Sequence, residues 1–290
     1  MTHPLVGTGV WSGALRNGDA GEIAAAAAEL ESLGYSAMWI PDVGGDVFGA
    51  VDNLLGATSQ VTIATGILNL WMHTAEETAA QHASLTTRHG NRFLVGIGVS
   101  HAPLIDHKLQ AGAYQKPIAQ TRAFLDELDA ADVPLAIADR ALAALGPKML
   151  ELAATRTAGV HPYLVTPEHT QIARDAVGSE TMVAPEQGVV LETDPNRARS
   201  IARTNLAGYF ALPNYTNNWI RLGFGEDEIA NGGSDRLIDA LVAWGDEDAI
   251  EARVRAHRDA GASHVCIQVL TDSPRSLPMD QLRLLAPVLC

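Results

Sequence analysis

Apolar residues along this chain alternate between two patterns. Short runs apolar on both faces occur at 5–10, 37–40, 61–67, 92–98, 134–137, 158–164, 187–193 and 264–269. Such runs suit parallel strands covered by helices on one side and a core on the other. Between them apolar positions recur at helical spacing. Ile23, Ala27 and Leu30 form one such face, opened by Asp19 and Glu22 and stopped by Gly34. A second spans 75–89, where Thr74 and Glu77 have the spacing of a capping box. Pro147, Pro167 and Pro195 each stand where a helix would begin, so their missing N–H costs nothing. Residues 209–233 break the rhythm with Tyr209, Phe210, Tyr215, Trp219 and Phe224 among Asn and Gly, and read as an insertion before the last strand. Eight strand–helix units predict a (β/α)₈ TIM barrel, a single domain over residues 1–290. A doubly wound open sheet shares the local alternation, and the strand count favours the barrel.

In a barrel the site forms where the strands end. The third strand ends most unusually. Gly66 interrupts it, and Asn69, Trp71 and His73 follow before the helix. The other strand ends offer Trp11 and Ser12, Asp42, Ser100 and His101, Asp139, His161 and Tyr163, and Glu192. No lysine stands there for a Schiff base, and no HxH or HExxH pair has metal-ligand spacing.

Composition narrows the partners. The 290 residues are 47% hydrophobic and 19% charged, an ordinary globular balance. The formal net charge of −14 argues against a general nucleic-acid or anionic-membrane binder, though a local backbone nest can still hold a small anion. Neither an N-terminal leader pattern nor an apolar run of bilayer length is present, and the two cysteines, Cys266 and Cys290, suit a reducing cytosol. The expectation is a cytoplasmic protein acting on a small-molecule substrate, without a metal.

Several residues have both a bland and a functional reading. Asp42 is either a loop carboxylate capping nearby N–H groups or a contact to a bound ring. Gly66-Ile67 is either a bulge or a backbone form that supports a flat ring. Gly96-Ile97-Gly98 lacks the third glycine of a dinucleotide fingerprint, so its glycines are expected to clear space for a ligand. Ala143–Lys148 is an ordinary helix start or a phosphate seat, with Lys148 adding charge. Among ten histidines, His73 and His101 lie just past strand ends and are the acid–base candidates. His161 is either packing or a substrate contact.

At these residues the chain resembles the luciferase-like monooxygenase superfamily, in particular its actinobacterial branch that uses the deazaflavin coenzyme F420. The resemblance rests on Leu33–Asp42, Ala64–Asn69, Arg92–His101, Leu145–Met149, Ala158–Tyr163, Ser234–Leu237 and Ala243–Asp246, in that order. It implies a barrel with an insertion before the last strand and a cis peptide at Gly66-Ile67 behind the flavin ring. It also implies that Asp42 and Asn69 contact the ring or its tail, that Gly98 and Ser100 line the pocket, and that Ala144, Leu145, Gly146 and Pro147 hold the phosphate. Relatives are commonly dimers, so a homodimer is expected. Several F420-using relatives have a histidine directly after the second-strand aspartate; here Val43 stands there, and His101 takes roughly the place of a glutamate. Their proton-transfer scheme therefore does not carry over, and His73, His101 or water must serve.

Three functions follow from this reading. The first is an F420-dependent oxidoreductase moving a hydride between the coenzyme and a small organic substrate. The second keeps the fold but uses FMN and oxygen. The third is a protein that holds a flavin or deazaflavin without turnover.

Overall fold

The computed structural model describes residues 5–290. Its strands, in chain order, are β1 (Gly7–Trp11), β2 (Ala37–Ile40), β3 (Thr62–Thr65), β4 (Leu68–Asn69), β5 (Phe93–Gly98), β6 (Arg140–Leu142), β7 (Gly159–Val160), β8 (Met182–Val183), β9 (Glu186–Leu191), β10 (Val242–Gly245) and β11 (His264–Val269). Every pairing is parallel, in the order β10-β9-β11-β1-β2-β3-β5-β6-β7-β8, with β4 on β5. The sheet closes because β8 and β9 are one run bent at Ala184-Pro185. Ala184 and Glu186 donate N–H to Val160 and Pro162 on one side (2.9 and 2.8 Å), while Ser263 and Cys266 donate to Val183 and Pro185 on the other (2.8 and 3.0 Å). The result is a TIM barrel, as the alternation predicts.

Side-chain alternation decides what fills it. On β2, Trp39 points inward while Met38 and Ile40 face the helices. One indole fits the interior because Ala64, Ala141 and Ala184 around it are small. Its Nε1 donates to His264 Nε2 at 3.2 Å, and the His161 ring stacks on it at 4.2 Å and 13°. A second core lies under the 209–233 segment. There Tyr215, Trp219 and Phe224 pack on Leu164, Val190, Val242 and Leu270 over part of the barrel mouth.

Several expected boundaries move. The fifth strand is 140–142 rather than 134–137; residues 137–139 form a 3-10 turn. Buried Arg140 hides it, because its guanidinium bonds Arg156 O and Asp129 and so disguises a strand position as a charged surface one. Asp139 consequently sits before its strand, at the opposite rim from the mouth, where it accepts Asn91 Nδ2 at 3.0 Å. Strand β10, expected as the end of a helix over 234–243, extends the sheet beside β9. A short helix, Ala102–Lys108, occupies what was expected to be loop. Only half of the expected capping box forms. Thr74 accepts the Glu77 N–H at 3.1 Å, but the Glu77 carboxylate turns to His73 instead. Among the described residues no helix is long and apolar enough to cross a membrane.

Candidate active site

Between β3 and β4 the Gly66-Ile67 peptide is cis. Both sides of it are engaged: Gly66 N–H donates to Ile40 O (2.8 Å), Asp42 N–H to Ile67 O (3.2 Å), and Trp11 Nε1 to Gly66 O (3.1 Å). The glycines on β5 make room for this bulge. A Cβ on Gly96 would lie 2.0 Å from Thr65 O, and one on Gly98 would lie 2.7 Å from Ile67 Cγ1. The space they clear is taken by the bulge itself, so Gly98 shapes the pocket wall through Ile67.

Asp42 is the electrostatic centre of this corner. Its carboxylate takes Arg16 (3.3 Å), the Asn69 N–H (3.1 Å) and His73 Nε2 (3.0 Å). Arg16 also bonds Pro41 O at 2.6 Å and the Gly44 carbonyl. Burial pulls the Asp42 carboxyl upward. The hydrogen bonds from His73 and the Asn69 amide, with the His73 charge, outweigh that pull and hold it below the usual carboxylate range. The Asp42 hydrogen bond raises His73 above the ordinary histidine value against its own burial, and the charges of Asp42 and Glu77 add to it. His73 Nδ1 stands 3.6 Å from Glu77, whose carboxylate is half exposed. A continuous acid–base chain thus runs from beside the bulge to solvent. Asn69 is buried, and its Oδ1 accepts the Trp71 N–H at 3.1 Å.

His101 stands elsewhere on the rim. It lies 5.2 Å from the Tyr215 ring and 3.4 Å from Asn214 Nδ2, and burial lowers its proton affinity. Ser100 has φ 55 and its carbonyl accepts Asn214 Nδ2 at 3.3 Å. The structure therefore joins Asp42, Asn69 and His73, while His101 and Ser100 join the insertion.

The helix Pro147–Arg156 begins at Gly146 with no side-chain cap. Ala144 is buried; Leu145 and Gly146 are half-buried, and Pro147 and Lys148 are exposed. His169 Nε2 holds Leu145 O at 2.9 Å. A position 3.7 Å from Arg221 Nη2 is open above Gly146. Uncapped helix N–H groups and a guanidinium together make an anion seat. Arg221 escapes a strand-end search because it comes from the insertion helix Pro213–Arg221.

Deeper in the mouth lies a group of side chains from several strands. Trp11 and Tyr163 rings are 5.3 Å apart, and Tyr163 is followed by Tyr209 at 5.6 Å and Tyr215 at 6.1 Å. Tyr163 OH donates to Gln268 Oε1 at 2.7 Å and meets Tyr209 OH at 3.1 Å. His161 Nδ1 donates to Ala184 O at 2.8 Å, and burial lowers its pKa to about 4. Its Nε2 lies 3.0 Å from where a Gly66 side chain would begin. Glu186 is fully buried, with Oε2 on the Leu164 N–H at 3.1 Å. Sequence reading passed over it in favour of Glu192, which is partly buried and pairs with Arg197. The available signal was a carboxylate two residues ahead of the Gly188–Leu191 apolar run. Among the described residues no His, Cys, Asp or Glu cluster could hold a metal ion.

Comparison with known proteins agrees with this architecture. The chain aligns in fold with an F420-dependent secondary alcohol dehydrogenase in complex with an F420-acetone adduct (TM-score 0.74, 14% identity, 98% of each chain). It aligns with a coenzyme F420-dependent tetrahydromethanopterin reductase from Methanopyrus kandleri at TM-score 0.69 and 18% identity, over 97% of this chain and 96% of that one. The oxygenating constituent of 3,6-diketocamphane monooxygenase from Pseudomonas putida, in complex with FMN, aligns at TM-score 0.68 and 14% identity, over 98% and 96%. At such identities the likeness concerns the fold. The family model for luciferase-like monooxygenases matches residues 4–264, nearly the whole chain, and the protein belongs to that family.

Proposed function

We propose that this chain is an F420-dependent oxidoreductase that moves a hydride between the deazaflavin coenzyme and a small organic substrate. The observation that carries the reading is the acid–base chain Asp42–His73–Glu77 beside the Gly66-Ile67 bulge. Hydride transfer to or from a neutral molecule must be matched by a proton, and this chain leads from the mouth to solvent. His73 supplies from the third strand end the imidazole that F420-using relatives place next to the second-strand aspartate, where this chain has Val43. The F420-dependent structural neighbours support the same choice.

The residues present fit such a coenzyme. The uncapped helix start Ala144–Pro147 with Arg221 would hold its phosphate, and Ile67 would back its ring. Asp42 and Asn69 would contact the ring or its tail, and Gly98 and Ser100 would line the pocket. When bound, the coenzyme supplies the hydride-carrying ring. The protein's own work is to orient that ring, exclude water with Trp11, Trp71 and the insertion, and move a proton at His73 Nε2. Steady-state oxidation of reduced F420 with electron-poor ketones and enones tests this. We expect turnover, and about a 100-fold loss in His73→Gln. Turnover with reduced FMN and oxygen alone would instead favour the monooxygenase reading, for which the FMN-bound neighbour is the supporting observation. Tight coenzyme binding without turnover would leave a binding protein.

A further inference from the structure

We propose that Glu186 is the polar end of the substrate pocket, where its carboxyl group holds the carbonyl oxygen of a small neutral organic molecule. This rests on the oxidoreductase reading only for the identity of the pocket as a substrate site.

Glu186, Gly188 and Val190 share one face of β9, and that face looks into the mouth beneath the insertion; Val190 packs there with Leu164, Val242 and Leu270. Gly188 adds no side chain, so the wall next to Glu186 is set back by about one methyl group. A Cβ there would lie 3.4 Å from Leu270 Cδ1, 3.5 Å from Val242 Cγ2 and 3.7 Å from Glu186 Oε1. The carboxyl is fully buried. Oε2 accepts the Leu164 N–H, while Oε1 has no hydrogen-bond partner among the described residues.

The surrounding groups fix what Oε1 must be. Burial pushes the Glu186 carboxyl up to about 8, with only the Leu164 N–H opposing it, so it carries a proton at neutral pH. Oε2 is occupied as an acceptor, which places that proton on Oε1. The nearby hydroxyls are committed elsewhere. Tyr163 gives its only proton to Gln268, so Tyr209 must be the donor in the Tyr209–Tyr163 bond. Glu186 therefore presents a buried O–H with nothing to receive it, an unfavourable arrangement unless a ligand accepts the bond. Glu186 is the unmet donor beside the Tyr163, Tyr209 and Tyr215 rings. The matching ligand is flat or apolar, uncharged, and carries a carbonyl oxygen. The wall also gives the direction: Trp11 joins the Gly66 carbonyl to the Tyr163 ring, and the Glu186 charge acts on Tyr163, so this aromatic wall runs from the bulge toward Glu186.

The test reads the carboxyl directly, in the coenzyme-free chain. Difference infrared spectra of wild type minus Glu186→Gln should show the C=O stretch of a protonated carboxylic acid without a strong hydrogen bond at neutral pH. Addition of cyclohexenone, cyclohexanone or benzaldehyde should shift that band downward. Binding of the same probes, followed by tryptophan fluorescence, should weaken about tenfold in Glu186→Leu and stay within about threefold in Glu186→Gln, whose amide still donates. F420 and FMN titrations on the same proteins report separately on the coenzyme reading and should be unchanged by either substitution. The proposal is overturned by absence of the band, by a band already hydrogen-bonded in the free protein, or by a band that no probe moves. Equal probe binding by wild type and Glu186→Leu overturns it too.

Discussion

Asp42 lies at the barrel mouth with almost no solvent contact, and its negative charge is tolerated because Arg16, His73 and the Asn69 amide meet it. Removing His73 leaves one hydrogen bond to a buried charge unmade. His73→Gln should cost about 1.5–3 kcal/mol of stability as well as turnover, and chemical denaturation checks the first part. A neutral effect on stability would mean that Arg16 and the Asn69 amide satisfy the carboxylate by themselves. The glycines carry a different constraint. A methyl group on Gly96 would meet the Thr65 carbonyl at 2.0 Å, and that oxygen belongs to a strand held on both sides. Gly96→Ala should therefore express poorly or unfold several degrees lower, read by thermal melting. An unchanged melting temperature would contradict the packing described. At this scale the sequence offered Asp42, Asn69, His73 and the Gly66-Ile67 pair by position alone, because strand ends and ligand sites coincide in barrels. It did not offer Glu186 or Arg221. Glu186 opens its strand rather than closing it, and Arg221 reaches the Gly146 helix start from 75 residues away, a distance no local pattern records.

Elements that bury continuous apolar surface were legible: β1, β2, β3, β5, β9 and β11 fall close to the runs that announce them. Those that failed are short or carry a charge. β6 begins with Arg140, buried only because Asp129 and the Arg156 carbonyl receive it, and β10 follows a helix without a break. The aromatic segment 209–233 was visible as an insertion, and its function follows from where it folds. Its helix Pro213–Arg221 places Tyr215 and Trp219 in the second core and Arg221 beside the Gly146 helix start. If that helix supplies the cation of an anion seat, Arg221→Gln should weaken coenzyme binding by about tenfold, and added salt should weaken wild type more than the variant. Equal salt dependence in the two proteins would remove Arg221 from the seat.

For the whole molecule, buried titratable groups set a pH window. His161, His257 and His264 have pKa values lowered by burial to about 4, 3 and 3, and burial moves His82, His101 and His169 the same way. Below the ordinary histidine value of 6.5 the unfolded chain takes up protons that the folded one refuses, so stability falls with acid. Glu186 acts in the opposite sense. The folded chain keeps its proton up to about pH 8 while the unfolded chain loses it near 4.5, so stability falls as pH rises through that interval. His73, raised by Asp42, adds to the alkaline loss above 6.5. Stability should peak near pH 6.5, with the Glu186 contribution changing by about 1.4 kcal/mol per pH unit. Glu186→Gln should flatten the alkaline limb in denaturation curves and steepen the acid limb above about pH 4.5, where Glu186 opposes the histidines. An unaltered alkaline limb would mean that Glu186 is ionised in the fold.

The central claim is that the barrel mouth between the Gly66-Ile67 bulge and the Gly146 helix start holds a deazaflavin coenzyme. Fluorescence titration of the purified protein with F420, and separately with FMN, tests it most directly. F420 should bind tightly and saturably, FMN should bind more weakly, and F420 should bind about tenfold more weakly to Arg221→Gln. Tight binding of FMN alone would contradict the F420 assignment while keeping the site, and binding of neither would contradict the site itself.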